Sequence, residues 1–223
     1  MNSRKKFFEL LDRAPFGNLV VVEDYTSYAI PGVLKVLFDY ADNRGLEVIV
    51  DDILDTFPLA VKHLEMVGIE RDFSTVKVIK TAGSINTAKV LARIPFESEL
   101  SVYIERYNRV ASEVLPTGGY INAVLGMERL FSFFQRTGEF HTLINSIKTY
   151  LGNEHRKAFY LIDANVASNL RFKPLPMLES IATSVVSIEP LDGGEVRIFI
   201  KKSIFRDRLG KELIVSPLEV YEW

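Results

Sequence analysis

Cysteine is absent from the 223-residue chain, which excludes disulfides, thiolate zinc sites and thiol catalysis. Glutamine occurs once, at Gln135, and histidine three times, at His63, His141 and His155. The histidines are scattered, with no H-E-x-x-H and no two-histidine-one-carboxylate spacing, so no metal site is expected. Neither sign of charge dominates. Lys and Arg number 27 against 29 Asp and Glu, a formal net charge of -2, which offers no overall attraction to nucleic acid or anionic membranes. No apolar run approaches the ~20 residues that a membrane helix needs. The segment Met1–Phe16 starts with Arg4, Lys5 and Lys6, but Glu9 and Asp12 interrupt the apolar stretch behind them. It reads as a short amphipathic helix and not as a signal peptide. A soluble cytoplasmic protein is expected. Scarce Gln and Cys beside abundant Lys and Glu resembles hyperthermophile composition and implies thermostability.

What the chain has is apolar mass, 48% of its residues, enough for the core of one α/β domain over 1–223. The stretch Asn18 to Asp52 organises it. Leu19–Val22 is an aliphatic run of the kind covered on both faces. Pro31 and Gly32 open a segment, Val33–Ala41, that is apolar almost all round and predicts an interior helix. Asn43, Arg44 and Gly45 end that helix, and Leu46–Val50 is a second buried strand. This strand–helix–strand order places the loop Glu23–Tyr28 where α/β sheets usually bind ligands.

Further along, a turn at Asp55–Pro58 precedes a helix to about Val67, and Thr75–Lys80 reads as a short strand. Ala82–Ile94 is ambiguous: Gly83-Ser84 suggests a turn, and Thr87–Ala92 fits a strand or a short helix. Leu100, Ile104, Tyr107, Ala111 and Val114 recur at helical steps within 97–114. Tyr120–Leu125 and Lys157–Asp163 are aliphatic strands, with helices at 127–136 and 140–151 between them. Pro174 and Pro176 lead into a short helix. Ser184–Glu189 and Glu195–Lys201 flank Asp192-Gly193-Gly194, a hairpin signal, and Glu212–Val215 is a last strand. Parallel units therefore come first and an antiparallel meander last.

Three features could carry chemistry. The strand KAFYLID ends at Asp163, as Walker B strands do, although Asp also ends strands by capping turns. The pair Asp51-Asp52 closes the second strand of the opening unit and could activate water or bind metal, or could cap the next turn. Lys201 and Lys202 lie on the last hairpin. The order of these parts resembles the RecA-like ATPases and, within them, the clock ATPase KaiC and its archaeal relatives. That resemblance implies a RecA-like three-layer α/β/α fold with a mostly parallel sheet and antiparallel C-terminal strands. It also implies a water-polarising role at Asp51-Asp52, magnesium at Asp163, and an intersubunit basic position at Lys201 and Lys202 in a homo-oligomer.

The chain departs from those ATPases at the phosphate site. G-x-x-x-x-G-K-[ST] occurs nowhere, and Gly210-Lys211 is followed by Glu212. Glu23 and Asp24 stand at the equivalent turn, where each carboxylate would repel a phosphate charge by roughly 1–4 kcal/mol. The pattern FGNLVVVEDYTS, RGLEVIVDDILDT and RKAFYLID looks closer to an archaeal family of uncharacterised RecA/KaiC-like proteins that lack the P-loop.

Two functions are therefore expected as alternatives. One is a non-catalytic interaction or regulatory protein that holds a peptide or protein partner, with no cofactor. The other is a degenerate nucleotide-binding protein with weak or no ATP hydrolysis. For the first, the crevice would comprise Glu23, Asp24, Tyr25, Thr26, Ser27, Tyr28, Asp51, Asp52 and Asp163. The acids would make an approach suited to basic side chains, the tyrosines would give stacking surface, and the following helix would offer free N–H groups at its start. Thr26 and Ser27 have no G-x-S-x-G elbow around them. The aromatic residues Phe131, Phe133 and Phe134 are expected in the core. The basic run Lys201, Lys202, Arg206, Arg208 and Lys211 is interrupted by Asp207 and Glu212 and has no aromatic platform, which favours a solvated face over nucleic-acid binding.

Overall fold

The computed structural model describes residues 3–134 and 136–223; Met1 and Gln135, which fall within two of the expected helices, lie outside them. The described elements run α1 (Ser3–Arg13), β1 (Leu19–Asp24), α2 (Ile30–Arg44), β2 (Glu47–Ile53), α3 (Thr56–Met66), β3 (Lys77–Thr81), β4 (Lys89–Ile94) and α4 (Leu100–Val114). There follow β5 (Tyr120–Leu125), α5 (Met127–Phe133), α6 (Thr137–Lys148), β6 (Arg156–Asp163), α7 (Ala164–Ser168), α8 (Pro174–Ile181), β7 (Ser184–Pro190), β8 (Val196–Ser203), β9 (Glu212–Val215) and α9 (Pro217–Glu222).

The strands form one sheet in the order β4-β3-β2-β5-β6-β1-β7-β8-β9. Strands β1 to β7 pair in parallel, and β8 and β9 continue the sheet antiparallel. The four aliphatic runs expected to be buried neighbours are β1, β2, β5 and β6, and all lie in this sheet. The two strands of the opening unit are not adjacent, because β5 and β6 insert between them. The ambiguous stretch after Ala82 resolves as β4, an edge strand parallel to β3.

Side chains alternate across a strand, so the sheet separates two cores. On one face Leu19, Val21, Ile49, Val124 and Tyr160 pack with residues of α4, α5, α6, α7 and α8. On the other, Val20, Val22, Val50, Leu125 and Leu161 pack with α1, α2, α3 and α9. This is a three-layer α/β/α arrangement. Helix α2 buries Leu34, Leu37, Phe38 and Tyr40, as its all-round apolar composition requires. It ends at Gly45, whose φ of 61° is the left-handed conformation that closes helices. Phe131 and Phe134 are in the core as expected, whereas Phe133 is exposed beside Phe96 with ring centroids 4.5 Å apart. Short α7 and the terminal α9 had no periodic signal, because five or six residues cannot display one.

Candidate functional site

The carboxyl ends of β1, β2, β3, β5 and β6 form one edge of the sheet, and the turns leaving them make the candidate site. The turn after β1 is built on Asp24. Its carboxylate accepts hydrogen bonds from Thr26 N (2.8 Å), Thr26 Oγ1 (2.6 Å), Ala29 N (3.0 Å) and Ile30 N (3.3 Å). Thr26 Oγ1 in turn accepts from Tyr28 N at 3.1 Å and Ala29 N at 3.0 Å. These donors include N–H groups at the start of α2, where a helix favours negative charge. The expectation of free N–H groups there is corrected by this geometry: the chain's own carboxylate takes those of Ala29 and Ile30.

The expected acidic approach also takes a different form. Strands β1 and β2 extend beyond their aliphatic runs, so Glu23, Asp24, Asp51 and Asp52 are strand residues and all are buried. Neighbours on a strand point to opposite faces, so neither pair acts as adjacent carboxylates. Asp24 and Asp52 face the α2 and α3 side, while Glu23 and Asp51 face the other. Three strand spacings separate β1 from β2, about 14 Å.

Asp52 accepts from Phe57 N at 2.9 Å at the start of α3 and forms a buried ion pair with Lys80. Lys80 also reaches Asp55 at 2.7 Å and the Ile85 carbonyl at 2.9 Å. Asp55 binds Ser84 N and Ile85 N, which ties the turn after β2 to the loop after β3. The Asp51 carboxylate accepts from Tyr107 Oη (2.9 Å) and Asn122 Nδ2 (2.7 Å), and Asn122 Oδ1 accepts from the buried Arg156 Nε at 2.7 Å. Burial pushes Asp51 above its ordinary value, against the Asn122 hydrogen bond and the Arg156 charge. Asp51 and Asp52 thus serve two separate interior networks.

Asp163 accepts from Val166 N at 3.0 Å and caps α7, the structural alternative of the Walker B reading. Tyr25 donates to Glu23 Oε2 at 3.2 Å, and Lys201 reaches the same oxygen at 3.3 Å and Glu179 at 2.8 Å. Burial raises Glu23 above the usual carboxylate range, with Lys201 opposing and Glu179 adding to the rise. Lys202 donates to the carbonyls of Glu179 and Ser180 near the end of α8, a favourable place for a cation. Ser27 is held by Asn165 Nδ2 at 3.1 Å, which also binds the Tyr25 carbonyl at 3.0 Å. Within the chain, then, Glu23, Tyr25 and Lys201 meet, and Asp24, Thr26 and Tyr28 meet. Asp51, Asp52 and Asp163 join neither group.

Three features of this edge escaped the sequence. Glu128, in the first turn of α5, is buried, and its Oε2 has no hydrogen-bond partner. Burial pushes it up to about 7, with the Asp163 charge adding to the rise and a bond to its own backbone and Arg129 opposing. Ser27, Leu54, Asp55 and Ala82 are the positive-φ residues other than glycine among those described. All four lie in turns after β1, β2 and β3, and such strain concentrates at functional sites. Large apolar side chains are exposed in the turns after β1 and β3 (Tyr28, Ile85), after β4 (Phe96), and on the helices α3, α5 and α7 that follow β2, β5 and β6 (Leu59, Phe133, Val166). Spacing reveals none of these, because each depends on where the strands end.

Gly126 holds the turn after β5 at φ 82°, and a Cβ there would stand 2.5 Å from both the Ile53 carbonyl oxygen and Thr56 Oγ1. Gly126→Ala should therefore destabilise by more than about 1 kcal/mol, read as a lower urea midpoint with unchanged slope.

A family profile described as a Pyrococcus protein of unknown function, DUF257, matches residues 9–214. A solved structure, described as a structural study from Pyrococcus horikoshii OT3, is 32% identical with a TM-score of 0.77. The match covers 98% of this chain and 99% of that one. No curated protein matches. Among the described residues no helix is long and apolar enough to cross a membrane.

Proposed function

We propose that this chain, which belongs to the DUF257 family of Pyrococcus proteins, is a non-catalytic interaction protein whose sheet edge holds a peptide or protein partner. The observation that carries the reading is Asp24. Its carboxylate occupies the start of α2, where a RecA/KaiC-like ATPase would hold phosphate, so a polyphosphate would have to displace a covalently tethered anion. The RecA/KaiC-like relationship is part of this proposal. It is supported by a central β1 between β6 and β7 and by the antiparallel β8 and β9 at one side.

The exposed apolar side chains at the same edge favour a partner with apolar anchors. Phe96 and Phe133 touch each other, Tyr28 lies in the turn after β1, and Val166 is on α7, which Asn165 ties to that turn. The acids contribute little to such a surface, since they are spent on internal hydrogen bonds. Recognition would then be by shape and apolar contact, which concentrates binding energy in a few aromatic residues.

The test has two arms. Magnesium ATP titrated into the protein should give no dissociation constant at or below about 10 μM, a binding energy near -7 kcal/mol. Peptides selected for binding should lose at least tenfold affinity with Tyr28→Ala plus Phe133→Ser, while Met66→Ala, on the exposed end of α3, leaves affinity unchanged. Tight nucleotide binding would overturn the non-catalytic reading. Equal binding by the folded double variant would remove the partner from this edge.

A further inference from the structure

On the face of the sheet away from α4 to α8, α1 does not seat fully on the strands. A cavity of about 90 Å³ lies between α1, α2 and the strands β1, β6, β7 and β8. Its body is hydrocarbon, with Leu10, Val20, Val22, Leu37, Val186 and Ile200 among the lining side chains. Water occupies a cavity only where polar groups hold it, and this body offers none.

One end differs. Asn18, Ser184, Ser203 and Arg208 line it. Asn18 and Arg208 are buried, and two of their donors, Asn18 Nδ2 and Arg208 Nε, have no hydrogen-bond partner. Buried donors are nearly always paired, so each such exception calls for an explanation. Another nitrogen of the Arg208 guanidinium, Nη2, donates to the Arg13 carbonyl. The nearest carboxylate, Asp207, lies 4.0 Å from Nε, beyond hydrogen-bonding range. Lys157 adds positive charge nearby. Burial depresses its ammonium, and Arg44 and Arg208 push it further down against the pull of Asp12. Burial likewise depresses Arg208, with Arg13 acting in the same direction and Asp207 against it. The end of the cavity is thus cationic, desolvated and short of acceptors.

The slot continues beyond this cavity. A second space of about 220 Å³ shares Phe7, Leu10, Ile198 and Ile200 with it and reaches Lys6, Glu9, Arg13, Lys211 and Glu212 at the outside. A third, of about 40 Å³, shares Phe7, Val33, Ile188 and Ile198 and ends at Trp223. Hydrocarbon length is therefore available on both sides of α1.

We propose that this slot is a binding site for a single-chain amphiphile with an anionic head. The head accepts from Asn18 Nδ2 and Arg208 Nε, and the hydrocarbon tail lies under α1 along Val20, Val22, Val186 and Ile200. An anion satisfies both orphaned donors and offsets the buried positive charge; a tail replaces a dry void with packed contacts. A free fatty carboxylate and an alkyl phosphate share this chemistry. The head and tail contacts share no residue with the sheet edge, although Tyr28 lines the third space, and the proposal does not rest on the partner proposed there.

The experiment uses the full chain and the probes dodecanoate, dodecyl phosphate, dodecanol and butyrate below their micelle concentrations. Binding is read by calorimetry and by fluorescence of Trp223, the single tryptophan. Dodecanoate or dodecyl phosphate should bind at least tenfold more tightly than dodecanol and butyrate. Which of the two binds more tightly distinguishes the sources of the head. Arg208→Met and Asn18→Leu should reduce the preference for the anion over dodecanol to less than threefold. Ile200→Phe should weaken all long-chain probes at least tenfold. Wild-type protein that binds no long-chain anion, or that binds dodecanol as tightly, overturns the proposal without any variant. So does undiminished anion binding by folded Arg208→Met protein.

Discussion

Lys80→Met should lower the unfolding free energy by about 3–5 kcal/mol, because it leaves Asp52 buried without its cation. Asp52 and Lys80 are 0% and 2% exposed in their side chains, so water cannot replace the lost partner. The Phe57 N–H still binds Asp52, but one neutral donor does not offset a desolvated charge. For a chain of this size the melting temperature should fall by roughly 10 °C or more. The loop after β3 loses its anchor as well, since Lys80 also holds the Ile85 carbonyl. Adding Asp52→Asn to Lys80→Met should recover much of the loss by removing the stranded charge. The comparison is Lys77→Met. Lys77 pairs with Glu47 at 2.7 Å, but the side chains are 35% and 49% exposed, and such pairs contribute about 0–1 kcal/mol. Similar losses in the two variants, measured by urea unfolding, would refute the role assigned to burial.

The second large effect is a pH dependence carried by Glu128. Its ordinary value is 4.5, and burial raises the folded-state value to about 7. Below about pH 4.5 the carboxyl is protonated in both folded and unfolded chains, and its contribution to stability is complete. As pH rises toward 7 the unfolded chain releases the proton while the folded one retains it, so stability falls. Above about 7 both states are ionised and the loss is constant. At about 1.4 kcal/mol per pH unit of separation, the loss is roughly 3 kcal/mol. Glu128→Gln keeps the shape and removes the titration. Asp51 and Glu23 are also shifted upward, and Asp12, Asp55, Asp72 and Glu189 downward. The informative quantity is therefore the difference between the Glu128→Gln variant and wild type. Unfolding free energies should diverge between pH 4.5 and 7 in favour of the variant; a constant difference across that window would sink the assignment.

The same chemistry bears on function. A carboxyl that titrates near 7 in the first turn after β5 changes charge next to Asp163 at the proposed partner edge. Asp24, two strands away, keeps the start of α2 filled with its own carboxyl group. That filled position is the basis for the proposed exclusion of polyphosphate, while the outward side chains Phe133 and Tyr28 are exposed.

The architecture was legible in the residues alone. Aliphatic runs at Leu19–Val22, Tyr120–Leu125 and Lys157–Asp163, Gly45 after a helix, and the Asp192-Gly193-Gly194 turn each carry a local physical signal. Burial on both faces and backbone conformation are written into consecutive residues, so the mostly parallel sheet and its antiparallel end could be read directly. Where each strand stops, and which strands are neighbours, depends on contacts between distant segments. Glu23-Asp24 and Asp51-Asp52 look like loop acids because an aliphatic run ends before them. The strands continue, because partners on other elements bind those carboxylates: Lys201 for one oxygen of Glu23, the start of α2 for Asp24, Tyr107 and Asn122 for Asp51, and Lys80 for Asp52. Those partners lie between 5 and 178 residues away in sequence. A charge is buried at a bearable cost only when such a partner is in place, and no pattern in neighbouring residues announces it. The unpaired Asn18 and Arg208 donors under α1 are the same kind of fact, visible only once β1, β8 and the segment after it meet.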